Sequence, residues 1–275
     1  MNIHDIWERL DFVLSNRRVN WVKTILFNFR TLPFKTACKL PVYIYGKVQF
    51  RTLAGKVDFQ DCEPKRGMIK IGRHGDYFSI PNKSFIWLGK NAKIIFRGPS
   101  YMGYNLLLRV ESGILDIGEF TGFGTNYRII CFNHIKIGRH VRMTFDGKVV
   151  DSNCHYVINT VTNQIRKNTA KIEIEDFCWI GNNTTIMKGV ILPKYSIVAS
   201  GSLLNKNYKK EVVENAPLFL AGSPAKVKGY GFKMVLSLTR ENEIKNYFQR
   251  NPDNDYMIWQ GKFEDPVEDL SVIFK

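Results

Sequence analysis

Between Ile174 and Leu204 an aliphatic residue returns at every sixth position: Ile174, Ile180, Ile186, Leu192, Val198 and Leu204. The fifth place of each block holds a small or modest residue, namely Cys178, Thr184, Val190, Ser196 and Ser202. An amphipathic helix would repeat its apolar residues every three or four positions, and a half-buried strand every second one. A period of six fits neither. It is the pattern of a β-helix, in which each short strand covers its apolar side by stacking on the coil before it.

Elsewhere the pattern is looser. Residues 1–31 place apolar residues at helical spacing, and Pro33 and Pro41 interrupt the chain beyond them. Short alternating runs from Tyr43 to Phe59 predict strands. Irregular repeat blocks begin at KIGRHG and Trp87–Phe96, with Ile71 and Leu88 as inward positions. Arg109–Gly124 is a better pair of blocks, although Val110 and Ile117 stand seven apart, which predicts a bulge or a distorted corner between them. His134–Asp146 gives another pair, from Ile137 and Met143. The Gly and Asn residues among these blocks suit corners that need unusual backbone angles. Pitch is lost near 153–170, which predicts a loop or hairpin thrown out from the solenoid, and insertions in repeat proteins commonly lie on the binding face. After Lys206 comes a final coil with a basic loop, then a helix over Val235–Arg250 with Pro252 just beyond it, and an irregular tail. The expected divisions are a helical N-terminal arm over 1–46, a β-helix over 47–229 and a C-terminal helix and tail over 230–275.

Composition narrows the picture. A hydrophobic share of 44% and a charged share of 24% are those of a soluble globular chain. The net charge of +15 asks for an acidic partner: nucleic acid, a membrane surface or a polyanionic ligand. The lysines are dispersed and no nucleic-acid motif occurs, so no nucleic acid is expected. Five cysteines without a Cys-x-x-Cys pair predict neither a disulfide framework nor a zinc ribbon, and point to a reducing compartment. No apolar run reaches the roughly 18 residues of a membrane span. Asp5, Glu8, Arg9 and Asp11 break up the N-terminus, which does not read as a signal peptide. The expected location is cytoplasmic, or peripheral at the inner face of the membrane. Residues 1–56 carry ten Lys or Arg against three acids. Two readings of that arm stand. It is a helical cap on the first coil with Trp7, Phe12, Trp21, Phe27 and Phe29 buried, or a basic, aromatic arm lying on an anionic membrane.

Three runs in order, CWIGNNTTIMKGV (Cys178–Val190), VASGSLLNK (Val198–Lys206) and AGSPAKVKG (Ala221–Gly229), resemble the C-terminal signature of the hexapeptide-repeat acyltransferases, which include polysaccharide and xenobiotic O-acetyltransferases. The likeness is strong over 130–229 and weaker over 66–130. It implies an all-β fold, a left-handed parallel β-helix of triangular coils, the opposite hand to the usual crossover. It also implies a homotrimer with active sites between neighbouring subunits, acetyl-CoA as donor and a saccharide as acceptor.

The segment Asp151-Ser152-Asn153-Cys154-His155-Tyr156 is similar to the Asp-Ser-Asp-x-His segment of that family, in which the histidine is the catalytic base. Here Asn153 replaces the second acid. A neutral imidazole within hydrogen-bond reach of a sugar hydroxyl can take its proton as the oxygen attacks a thioester. Asp151 would hold the tautomer, with Asn153 and Tyr156 beside the acceptor, and corner N–H groups would serve the oxyanion. By the same resemblance Gly181, Ala199, Ser200 and Gly201 line the pantetheine arm of CoA. Pro224 shapes the adenine side, and Lys206, Lys226 and Lys228 flank the nucleotide end, with help from Lys209 and Lys210. His74, His134 and His140 read as solvated or corner residues, and their spacing predicts no metal site. Two other readings stay open: N-acetyl transfer to an amino sugar, which needs the same base, and a non-catalytic trimeric scaffold.

Overall fold

In the computed structural model, which describes residues 18–73 and 82–259, strands of two to six residues alternate with tight corners. The chain thereby visits three faces in turn. Face 1 stacks Val42–Ile44, Ile69–Arg73, Ser100–Gly103, Thr121–Phe123, Arg142–Met143, Trp179–Ile180, Ile197–Val198 and Leu218–Ala221. Face 2 stacks Val48–Leu53, Ser84–Leu88, Leu107–Val110, Arg128–Cys131, Lys148–Val150, Thr185–Met187 and Leu203–Leu204. Face 3 stacks Lys56–Phe59, Lys93–Phe96, Ile114–Ile117, His134–Ile137, Ile172–Ile174 and Ile191–Leu192. Within each of these stacks neighbouring strands pair in parallel, each one coil apart. The architecture is the left-handed parallel β-helix expected from the sequence. The corners are numbered here by the faces they join: first (1 to 2), second (2 to 3) and third (3 to 1).

Coil length explains why only part of the repeat is legible. Phe85 pairs with Leu107, Leu107 with Arg128, Arg128 with Lys148, and Thr185 with Leu203. Coils therefore shorten from twenty-two residues through twenty-one and twenty to eighteen. Six residues per side holds only in the last coils. Val110 and Ile117 end strands on adjacent faces, so the extra residue between them belongs to a wider second corner.

Inside the prism Ile174, Ile180, Ile186, Leu192, Val198 and Leu204 are buried in a single stacked core. The fifth-place residues are buried too, and the hydroxyls among them bond back to the chain. Ser196 Oγ donates to the Pro193 carbonyl at 2.7 Å and Ser202 Oγ to that of Ala199 at 2.6 Å. The fourth place carries a feature that the apolar pattern hides. Phe177, Asn183, Gly189, Tyr195 and Gly201 all have positive φ, between 53° and 82°. Each corner thus needs one left-handed residue, which is costly for a bulky side chain. At the third corner aromatic stacking offsets that strain. Phe120, His140, Phe177 and Tyr195, all left-handed, form a column with ring centroids 5.0–5.2 Å apart. His140 is accordingly a buried corner residue rather than a solvated one. His134 lies half-buried on face 3, and His74 lies outside the described residues.

Face 1 is closed at both ends. At the start, helix α1 (Trp21–Thr31) lies on the first coil, followed by the single turn α2 (Phe34–Ala37). Its inward side is polar. Thr24 Oγ1 accepts the Ile44 N–H at 3.0 Å, and Asn28 Oδ1 accepts that of Val42 at 3.2 Å. Asn28 Nδ2 donates to the Val42 carbonyl at 2.7 Å, and the Asn20 N–H to that of Ile44 at 2.8 Å. The side chains of α1 thus satisfy the free edge of the first strand, as a further strand would. Of the expected arm aromatics Phe27 is buried, while Trp21 and Phe29 are exposed. Trp7 and Phe12 lie outside the described residues. The first strand of the prism begins at Val42, inside the segment assigned to the arm. At the far end Lys226–Tyr230 pairs antiparallel with Leu218–Ala221 and stops the parallel stack. Helix α3 (Leu238–Arg250) comes next, capped by Ser237 Oγ, which accepts the Arg240 N–H at 3.3 Å. No helix among the described residues is long and apolar enough to cross a membrane.

Candidate functional site

The insertion leaves the prism at the second corner, between Lys148–Val150 on face 2 and Ile172–Ile174 on face 3. It is a hairpin: Ile158–Asn159 pairs antiparallel with Gln164–Ile165, and its base is closed by a Ser152–Thr169 bridge and by the Asn153 N–H on the Asn168 carbonyl at 2.9 Å. Ser152 Oγ accepts the Cys154 N–H at 2.9 Å, and Cys154 turns the chain through a left-handed conformation (φ 61°). His155 comes immediately after and is exposed. It makes no hydrogen bond or ion pair with the described residues. Its imidazole borders a hollow of about 400 Å³ lined also by Asn153, Val157, Ile158, Arg166, Lys167, Asn168 and Lys188. Three cations and no acid line it.

Asp151 does not sit beside the imidazole, as the resemblance implies it should. It is fully buried in the wall, and its carboxylate accepts the Phe132 and Asn133 N–H groups, both at 2.8 Å. Cys131 Sγ also lies against it, 3.5 Å away. Burial, then the neighbouring carboxylate, pushes the Cys131 thiol far up, so it stays neutral. No hydrogen bond joins Asp151 to His155. The acid pins the second corner where the hairpin starts, rather than the imidazole. Tyr156 is exposed and does not border the hollow, whereas Asn153 does.

The expected donor residues divide between two corners. Gly181, Ala199, Ser200 and Gly201 lie between faces 1 and 2, at the first corner. The turn Gly222–Ala225 continues that column: Gly222 N–H donates to Ser202 Oγ at 3.2 Å and Ala225 N–H to the Leu203 carbonyl at 2.7 Å. Pro224 is exposed in that turn, and Lys226 and Lys228 are exposed on one side of the next strand. Lys206 is elsewhere. It lies after face 2, at the second corner, one coil beyond Lys188, and pairs with Glu211 at 2.6 Å, which raises its pKa. Lys209 is likewise tied, to Glu175 at 2.7 Å. A hollow of about 260 Å³ opens by the first corner, lined by Tyr101, Gly122, Gly124, Arg142, Phe145 and Asn182. A larger hollow, about 900 Å³, lies between α3 and Asp253–Trp259 and borders none of the residues that the sequence singles out.

Gly181 also has a reason of its own to be small. A Cβ there would meet the Ser200 nitrogen at 2.6 Å and the Val198 carbonyl oxygen at 2.8 Å, both in the next coil. Gly181→Ala is expected to cost about 1–3 kcal/mol of stability through overpacking, read as a lower urea midpoint. A variant with unchanged stability and weaker CoA binding would return Gly181 to the donor groove. Among the described residues no three His, Cys, Asp or Glu side chains gather as a metal site.

The sequence did not single out Arg166, Lys167 and Lys188. The first two stand in the segment read only as a loop. Lys188 carries a signal, since it precedes Lys206 by one coil of eighteen.

What the stacked faces and their corners define is a hexapeptide-repeat β-helix protein. No protein-family model matches the chain, and no curated protein does. Solved structures match more distantly. The polySia specific acetyltransferase NeuO is 18% identical over 77% of this chain and 99% of its own, with a TM-score of 0.43. The polysialic acid O-acetyltransferase OatWY is 19% identical over 74% of this chain and 95% of its own, with a TM-score of 0.37. AntD, an N-acyltransferase from Bacillus cereus solved with dTDP and 3-hydroxybutyryl-CoA, is 12% identical over 78% of this chain and 89% of its own, with a TM-score of 0.35. Likenesses this distant place no residue and fix no substrate for this chain.

Proposed function

We propose that this protein transfers an acyl group, acetyl in the first instance, from CoA to a hydroxyl of an anionic saccharide, with His155 as general base. The observation that carries this reading is an exposed imidazole at the mouth of a hollow whose charged walls are Arg166, Lys167 and Lys188. Cations without a neighbouring acid favour an acidic acceptor. The donor supplies the acyl thioester. His155 takes the proton of the acceptor hydroxyl as that oxygen bonds to the acyl carbon, and gives it to the CoA thiolate released when the C–S bond breaks. Lys226 and Lys228, exposed side by side, suit the phosphates of the nucleotide end.

Geometry also argues for an assembly. His155 belongs to the second corner, whereas most donor residues belong to the first, with face 2 between them. Face 2 turns Leu107, Ile130, Val150, Met187 and Leu203 outward, each half-buried in the single chain. Three prisms that set face 2 toward a threefold axis would bring the first corner of each against the second corner of its neighbour. The base of one subunit then meets the donor groove of the next.

The test is mass spectrometry of candidate glycans incubated with enzyme and acetyl-CoA. The expected result is a gain of one acetyl on an acidic glycan, made by a species that sediments as a trimer. Transfer only to neutral glycans would remove the acceptor assignment, and an active monomer would remove the shared site.

A further inference from the structure

Helix α1 is amphipathic in an inverted sense. The side toward the prism presents Thr24, Asn28 and Thr31 with Phe27, all buried. The outer side presents Trp21, Val22, Ile25, Leu26 and Phe29, with exposures of 43–76%, and Phe34 of α2 extends it at 73%. These positions stand at i, i+1, i+4, i+5 and i+8, so on a helix they form one continuous stripe. A soluble helix normally turns such a stripe inward. Here the inward side is needed for polar work on the edge of Val42–Ile44, and the apolar residues are left outside.

The stripe has a charged margin. Residues 18–56 contain eight Lys or Arg and no acid. Lys39 is engaged by Glu63 at 2.9 Å, and Lys23 lies over the Phe50 ring at 4.9 Å with its stem beside the stripe. Arg30 and Lys35 are exposed. An apolar strip with an aromatic residue near each end and cations along its border is complementary to a surface that is oily within and anionic at its rim. A second copy of this chain would bring the same cations against these ones, which like-charge repulsion disfavours. Eleven residues span about 16 Å, too short for a hydrocarbon core of about 30 Å, so the helix can only lie in the plane.

We infer that the outer stripe of α1 docks this protein on an anionic lipid surface, with Trp21, Val22, Ile25, Leu26 and Phe29 entering the headgroup region and Arg30 and Lys35 meeting lipid phosphates. The docking surface sits at the start of the prism. The hairpin that carries His155 leaves four coils further on, about 20 Å along the axis, so docking leaves both corners of the candidate site accessible.

Full-length protein should co-sediment with vesicles of phosphatidylglycerol and phosphatidylcholine in equal parts, and not with phosphatidylcholine alone. Binding should weaken several-fold in about 1 M salt, where the Debye length is about 3 Å. Ile25→Asp with Phe29→Asp should cut binding at least about tenfold. Arg30→Gln with Lys35→Gln should weaken it and flatten its salt dependence. All four side chains are exposed, so both variants should melt and elute as wild type, which separates lost docking from lost folding. Failure of wild type to bind either vesicle overturns the inference, as does full binding by the Asp pair. A smaller oligomer for the Asp pair, without vesicle binding by wild type, would assign the stripe to a second copy. Binding that appears only when residues 1–17 are removed would assign it to that segment.

Discussion

Replacing His155 with Ala should lower acyl transfer by about 10²–10⁴-fold, the usual cost of losing a general base. Chain folding, assembly and CoA affinity should stay close to wild type. The reason is visible in the geometry: the imidazole is exposed, bonds to no described residue of its own chain, and stands after a turn already fixed by Ser152 and Cys154. Nothing in the prism depends on it. The measurements are initial rates of acetyl transfer at saturating donor, with a binding isotherm for CoA and a thermal melt. Activity within tenfold of wild type would show that the base lies elsewhere.

Asp151 should behave in the opposite way. Its two oxygens accept the Phe132 and Asn133 N–H groups in a fully buried setting. Asp151→Asn keeps the shape, but an amide nitrogen must then face one of those N–H donors. The expected cost is about 1–3 kcal/mol for the unsatisfied group and more for the lost charge-assisted bond, seen as a lower urea midpoint. Activity at temperatures where the variant stays folded should fall far less than in His155→Ala, because the hairpin shifts but keeps its base. A variant as stable as wild type and as inactive as His155→Ala would put Asp151 back beside the imidazole.

These two residues mark how far the sequence could be read. The period of six from Ile174 to Leu204 was legible because the coils there have shortened to eighteen residues. The coils before it are wider, so apolar spacing drifts although the faces are the same. The hairpin shows in the sequence as a loss of pitch. The partner of each polar side chain was not legible. Asp151 and His155 stand four apart in sequence, yet one faces the wall and the other the solvent, because the hairpin begins between them. The corner that holds Lys206 was not legible for a related reason. Lys206 is close in sequence to Gly201, but a face of the prism separates them, and only the strand pairing shows it. The inverted helix α1 was half legible: its apolar positions could be read off, but which side faces the coil depends on a strand edge that wants hydrogen bonds.

That edge bears on how the molecule ages in solution. A stack of parallel strands with an open end is a template on which another chain can add, and repetition of that step makes fibres. On face 1 Thr24 and Asn28 occupy the donors and acceptors where such growth would begin, and at the opposite end of that face the strand Lys226–Tyr230 runs the wrong way to seed it. Filament formation should therefore be dormant in the intact chain and awaken in one whose Asn28 can no longer bond to Val42.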